Sequence, residues 1–591
     1  MRERNTTSYR TWSAIAIVAS LTCALFLFVP ALLQEAIGQS PAKSYSPDEV
    51  QQLGQRMYRE GILPSGEAMQ SVIKGDIVVQ GTTFTCVSCH MLSGLGSSEG
   101  DVITTPANGK SLYNPRKPPR GIVSSMSGGM GKSKDQLPQL PQLPPPGRPA
   151  YTDETLATAL REGIDPSGRV LNPVMPQYLL QDQDMAILIS YLKSLSSNDS
   201  PGVDGQTLRF ATVISEDVPA DLRDEQAVLL EKLFSRMNEQ ARDYEKRLND
   251  PKLNRHMSKT WRMLYRNISL SLSRWVLKGA PETWPAQLEE YYRKEPVFAL
   301  LGGITSGDWK PVHDFCESNR IPCLFPQTDF PVVSNANSYT FYLSKGFYQE
   351  GEAAARFINR SGDDSTEYPP VVQIVRNSRE GRALSAGFEE EWRALGQRPP
   401  STLRLQPGES ISPEALAKLL AKDQPVTLLV WDGPEALPLL TSIANMKGKP
   451  ETLFISSSYL GKKIAALPEQ IRDITCITHP YRLPRDEQQL EEFYLGTTIK
   501  GRINEDETNR ILKRSYPLSR VLIDALAEMK ENFYRDHFLD VISNHRDLDV
   551  PLYERLSFGP GQRYASKGCY IVQLSKGSKP ELIRKSDWVI H

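Results

Sequence analysis

Hydrophobic positions recur along this chain with two periods, and the change from one to the other divides it. Val50, Leu53 and Met57 fall on one face of a predicted helix. Ahead of them, Ser46-Pro47-Asp48-Glu49 supplies an N-cap serine, a proline at the first helical position and a glutamate to close a capping box, and Gly61 ends the helix. A second helix is predicted from Thr152, with Asp153 and Glu154 in its first turn and Gly163 beyond its end. A third runs from Asp182 to Leu195, with Met185, Leu188, Ile189 and Leu192 at helical spacing. Residues 39–200 therefore read as a small all-α unit.

Beyond Gln206 the pattern turns to short β-rich apolar runs: LRFATVI (208–214), PVFALLGG (296–303), PPVVQIV (369–375), PVTLLVW (425–431) and ETLFIS (451–456). Helical patterns at 284–294, 347–358, 383–395, 412–422 and 434–445 alternate with them. Such alternation predicts parallel sheets with crossover helices, and 207–591 is long enough for two sheets. The linker SSNDSPGVDGQ (196–206) separates the halves, and a tract from about 114 to 150, with QLPQLPQLPPP at its centre, reads as a surface loop.

The first residues follow neither pattern. Arg2, Arg4 and Arg10 precede an apolar run from Trp12 to about Leu33, the form of an export signal, and the run reaches the roughly 20 residues that cross a bilayer. Residues 1–38 are read as a signal peptide or a membrane anchor, and the rest as exported: periplasmic, either soluble or tethered to the inner membrane. With a net charge of -1 and 24% charged residues, nothing calls for nucleic acid as a partner. Export leaves Cys316, Cys323, Cys476 and Cys569 open to two readings, disulfides or buried thiols. The histidines at 256, 313, 479, 537, 545 and 591 stand in no recognised catalytic spacing, so catalysis is not expected.

The stretch FTCVSCHMLSGLG (84–96) carries Cys-x-x-Cys-His. A zinc site needs further Cys or His ligands, and 38–200 offers none; a redox dithiol belongs at a strand-to-helix junction, and this one lies among predicted helices. Covalent haem is the remaining reading, with Cys86 and Cys89 as thioethers and His90 on the iron. Met175, between Pro173 and Pro176, is the candidate for the opposite face.

With YREG before this motif and YTDETLATALREGIDPSGRVLNPVMPQY after it, residues 45–197 resemble a class I cytochrome c domain. That resemblance implies one haem c, iron ligation by His90 and Met175, and electron transfer with a periplasmic redox partner such as a dehydrogenase. Residues 207–580 resemble a type I periplasmic binding protein, on VFALLGGITSGDWKPVHDFCESNRIPCLFPQ, YLSKGFYQEGEAAARFI and LSFGPGQRYASKGCYIVQL. This second likeness implies a two-lobed α/β domain over 201–591 and a small-molecule solute. Ligands of such sheets bind beyond the carboxyl ends of strands, which makes Thr305, Ser306, Gln327, Thr328, Tyr348, Asp432, Ser457 and Tyr459 candidates. The expected function is an electron-carrying cytochrome coupled to a solute-binding-like domain; the alternative is a solute sensor or transport receptor with an accessory haem.

Overall fold

The computed structural model describes residues 44–73, 76–99, 102–117, 147–205, 207–248, 269–334, 339–361, 370–420, 426–494, 507–545, 547–559 and 561–590. The export signal or anchor and most of the proline tract lie outside the described residues. Among those described, no helix is long and apolar enough to cross a membrane. The described residues form two compact units, one within 44–89 and 109–195 and one within 90–108 and 196–590.

In the smaller unit, helix α1 (Pro47–Glu60) begins with the capping box read from its sequence: Glu49 N–H donates to Ser46 Oγ at 3.3 Å and Ser46 N–H to Glu49 Oε2 at 2.7 Å. Helix α2 (Cys86–His90) is a single short turn, α3 (Asp153–Glu162) ends at Gly163, and α4 (Asp182–Ser194) buries Met185, Leu188, Ile189 and Leu192. Helices α1 and α4 meet at Gly54, where a Cβ would stand 2.5 Å from Tyr191 Cβ and 2.9 Å from the Ile187 carbonyl. The all-α expectation is corrected here. β1 (Gln70–Ile73) pairs antiparallel with β2 (Ile77–Gln80) and with β3 (Gln177–Tyr178). These stretches are too short to close a helix, and cross-strand pairing satisfies their backbone groups instead.

The larger unit holds two sheets. In lobe 1 the parallel strands run in the order β8 (Thr340–Phe341), β7 (Cys323–Leu324), β6 (Ala299–Leu301), β4 (Thr207–Ser215), β5 (Ser269–Leu277), and a short sixth strand, Val203–Asp204, pairs antiparallel with β4. Its layers include α5 (Ala220–Leu248), α6 (Trp284–Lys294) and α7 (Lys310–Asn319). In lobe 2 the order is β10 (Ser401–Leu405), β9 (Val371–Arg376), β11 (Thr427–Trp431), β12 (Thr452–Ser456), β13 (Thr475–His479), β14 (Gly568–Leu574), β15 (Leu582–Arg584). The first five are parallel, and β14 and β15 run antiparallel to their neighbours. Helices α8 (Phe347–Ser361) and α9 (Arg379–Ala394) cover one face of this sheet with a core of Ala354, Phe388, Trp392 and Trp431.

The chain passes between lobes three times. It leaves lobe 1 after β8, returns after β13 to α13 (Glu507–Met529) and α14 (Arg535–Ser543), and enters lobe 2 again at β14. Helices α13 and α14 close the lobe 1 core, with Leu518, Val521, Leu522, Phe538 and Leu539 packed against Phe210, Leu230 and Phe298. Gly54→Ala should overpack the α1–α4 crossing by about 1–3 kcal/mol, read as faster hydrogen exchange of the α1 and α4 amides in the full chain with no change in α9.

Candidate functional site

A parallel strand ends in a loop at its carboxyl edge, and both sheets offer such loops where the chain crosses between lobes. After β6, Gly302 and Gly303 take φ of 59° and 100°. At Gly303 a Cβ would lie 2.5 Å from the Trp309 ring and 2.8 Å from the Val213 carbonyl, so the turn accepts only glycine. Thr305 Oγ1 donates to the Gly307 carbonyl at 3.3 Å, and Ser306 donates to Asp217. After β7, the Gln327 N–H bonds the Gly303 carbonyl at 2.8 Å, and Thr328 Oγ1 accepts from Phe330 N–H at 3.0 Å. The two loops of lobe 1 are thereby tied together.

In lobe 2, Ser378 caps α9 and its hydroxyl meets the Tyr459 hydroxyl at 2.6 Å. Ser456 accepts from Tyr459 N–H at 3.0 Å, and Ser457 Oγ lies 3.0 Å from His479 Nδ1. Burial drives His479 down to about 4, so the imidazole is neutral at pH 7. Three rings stand in sequence near these groups: Phe330 and Phe347 with centroids 5.4 Å apart, and Phe347 and Tyr459 at 6.1 Å.

Acids near these strand ends are matched with arginines. Arg376 grips Asp432 with a two-bond fork of 3.0 and 2.7 Å, and both residues are at most 5% exposed. The Asp432 bond raises the Arg376 guanidinium above its ordinary value, against desolvation. Burial works against the Arg514 cation, yet Asp329, Tyr553 and Tyr481 hold it well above the ordinary range. It donates to Asp329 and, at 3.1 Å, to the Tyr481 hydroxyl. Arg379 of lobe 2 pairs with Asp308 of lobe 1 and lies 4.0 Å over the Phe330 ring, so one side chain bridges the lobes twice.

The first turn of α8 gathers the crossings. Gln349 Nε2 donates to the Gly568 carbonyl, and Glu350 Oε2 accepts from Thr478 Oγ1 at 2.7 Å. Burial pushes Glu350 up to about 7, although hydrogen bonds from Ser458, Thr478 and Ser456 oppose it.

Of the candidates named from sequence, the fold brings Thr305, Gln327 and Thr328 together in lobe 1 and Ser457 and Tyr459 together in lobe 2. Ser306 is hydrogen-bonded to Asp217, and Asp432 is paired with Arg376. Tyr348 donates to Glu390 of α9 and belongs to the helical layer. Sequence reasoning passed over Asp308, Phe330, Arg376, Ser378 and Arg379, and weighed His479 only as an isolated histidine. Only Ser378, an N-cap serine three residues before Gly381, carried a local signal. Cys316, Cys323, Cys476 and Cys569 are buried free thiols.

The residues of the Cys-x-x-Cys-His stretch stand differently. The half-buried Cys86 thiol, raised by burial to about 11, contacts the Tyr178 hydroxyl at 3.7 Å, while Cys89 is exposed. His90 Nδ1 bonds the Thr105 carbonyl at 2.9 Å, and Met175 packs at the edge of the small unit's core. The division between units falls between Cys89 and His90.

The profile of the periplasmic binding protein family matches residues 278–579. A putative branched-chain amino acid ABC transporter from Rhodospirillum rubrum is similar in structure over 64% of this chain and 100% of its own, at 14% identity and a TM-score of 0.47. A possible leucine/isoleucine/valine-binding protein from Rhodopirellula baltica is similar over 65% and 98%, at 16% identity and a TM-score of 0.41. A branched chain amino acid ABC transporter from Thermus thermophilus, with bound valine, covers 66% and 98% at 12% identity and a TM-score of 0.41. No curated protein matches the chain.

These findings correct the expectation of an electron carrier with one haem c held by Cys86, Cys89, His90 and Met175. The family profile is that of periplasmic binding proteins, and among the described residues no group of three or more His, Cys, Asp or Glu could hold a metal ion. With the haem go the iron ligands and the redox partner. The alternative reading, solute binding, is the one the family supports.

Glu350 makes the pH dependence testable. Its folded value of about 7 lies above the roughly 4.3 of an unfolded glutamate, so its contribution to stability is full below about pH 4 and is lost as pH rises to about 7. Glu350→Gln should gain on the parent by on the order of 3 kcal/mol at pH 8 relative to pH 4. Melting curves across that range check this, and parallel profiles for the two proteins would contradict it.

Proposed function

The chain belongs to the periplasmic binding protein family, and from that premise we propose that its two-lobed unit captures a small solute between the lobes. The observation that carries this reading is the Arg379 bridge, which joins Asp308 and Phe330 across the mouth formed by the strand-end loops. Lobe closure around a ligand is a hinge motion about a few connecting segments. The Gln349 and Glu350 contacts lie where those connections meet.

The function is binding, in keeping with the family, and at the mouth Ser457 is hydrogen-bonded to the neutral His479. In keeping with the family, the protein works after export, in the periplasm, and hands its solute to a membrane permease. We take 1–38 as the signal or anchor, 39–200 as a separate small unit and 201–591 as the receptor domain. Thr305, Gln327, Thr328, Ser457 and Tyr459 are the candidates that face the solute.

A thermal-shift screen of the full chain against small solutes tests the reading, since a solute at a hundredfold excess over its Kd adds about 2.7 kcal/mol. Arg379→Ala should weaken the affinity for any hit by about tenfold, equivalent to about 1.4 kcal/mol. An unchanged Kd would mean that the bridge plays no part in binding, and a screen across charged, zwitterionic and neutral solutes without a hit would remove the solute.

A further inference from the structure

Lobe 1 contains a cluster of buried polar atoms that the cleft contacts leave unused. Thr212 Oγ1, both amide atoms of Gln226 and Gln327 Oε1 have no hydrogen-bond partner among the described residues. Thr212 and Gln226 are fully buried and Gln327 is 9% exposed.

These groups are neighbours. A Cβ on Gly302 would lie 2.2 Å from Gln226 Nε2 and 3.4 Å from Leu518 Cδ2. Gln327 Nε2 reaches Ser515 Oγ at 3.5 Å, one turn before Leu518 on α13. On β4, Leu208 and Phe210 face the core that contains Leu230 of α5 and Leu518 of α13, and Thr212 follows on the same face by the two-residue period of a strand. Thr212, Gln226, Gln327 and Ser515 thus surround the start of the Gly302–Gly303 turn, the loop at the carboxyl edge of the lobe 1 sheet.

A buried polar atom without a partner is costly, and several in one place call for a shared one. None of these side chains is ionisable, while Asp308, Asp329 and Asp432 are each held by an arginine. A charged end group would find no counter-charge in the cluster. A hydroxyl both donates and accepts, so it suits an amide in either orientation and the threonine hydroxyl alike. Resting on the solute-binding reading, we propose that this cluster is the deep end of the cleft and receives the uncharged, hydroxyl-bearing end of the solute. Phe330, Phe347 and Tyr459 at the mouth then enclose an apolar or aromatic body.

Three congeners with one skeleton test this: 2-phenylethanol, 2-phenylethylamine and phenylacetate, titrated calorimetrically into the full chain. The alcohol should bind at least tenfold more tightly than the amine or the acid. Gln226→Leu keeps the volume and removes both polar atoms, and should weaken alcohol binding at least tenfold without lowering the melting temperature. Thr212→Val provides a second variant with the same expected direction. Unchanged alcohol affinity in both variants would mean that the cluster holds only water, and would overturn the proposal. Preference for the amine or the acid overturns the ligand class and leaves solute binding intact. No saturable binding by any congener also overturns the subsite, and the wider screen then decides solute binding separately.

Discussion

A buried charge requires a partner, and this constraint shapes the larger unit more than any other. Removing one member of a buried ion pair typically costs 3–5 kcal/mol, because the other is left uncompensated. Arg376 with Asp432 and Arg514 with Asp329 satisfy the requirement at strand ends, where the sheets meet the cleft. Both pairs fasten loops: Arg376 also donates to the carbonyls of Gln406 and Glu409, and Arg514 to Tyr481 just after a crossing. The strand-end loops are therefore held fast where their charges are buried. The other groups there are hydroxyls, amides and rings.

The same constraint explains why the Arg379 bridge is suited to opening. Its guanidinium and the Asp308 carboxylate are 33% and 65% exposed, so water replaces the pair with little loss. The buried pairs hold each lobe together, and the exposed one sits between them. Glu350, buried where the crossings converge, makes that junction sensitive to pH through its raised value of about 7.

Much of the fold was legible in the sequence because β-branched runs and helical spacing are local. LRFATVI, PPVVQIV and PVTLLVW became β4, β9 and β11, and the helix read at 284–294 is α6. The site was less legible because its partners are set by register. Asp432 reads as a free strand-end acid until Val375 is seen to pair with Trp431, which places Arg376 beside it from 56 residues away. The surroundings of Tyr348 were illegible for a related reason, since its side of α8 is settled only by the packing of α9. The Cys-x-x-Cys-His stretch misled differently: three adjacent residues carry a specific chemical suggestion, but the family of the chain is carried by the 278–579 region. A short motif and a domain fold answer different questions.

The most direct test of capture between the lobes is hydrogen exchange of the full chain with and without a saturating solute. Closure predicts slowed exchange in two separate segments at once, residues 302–309 of lobe 1 and 378–383 of lobe 2, together with the linking turn at 344–350. Protection confined to one lobe, or none in either, would contradict it.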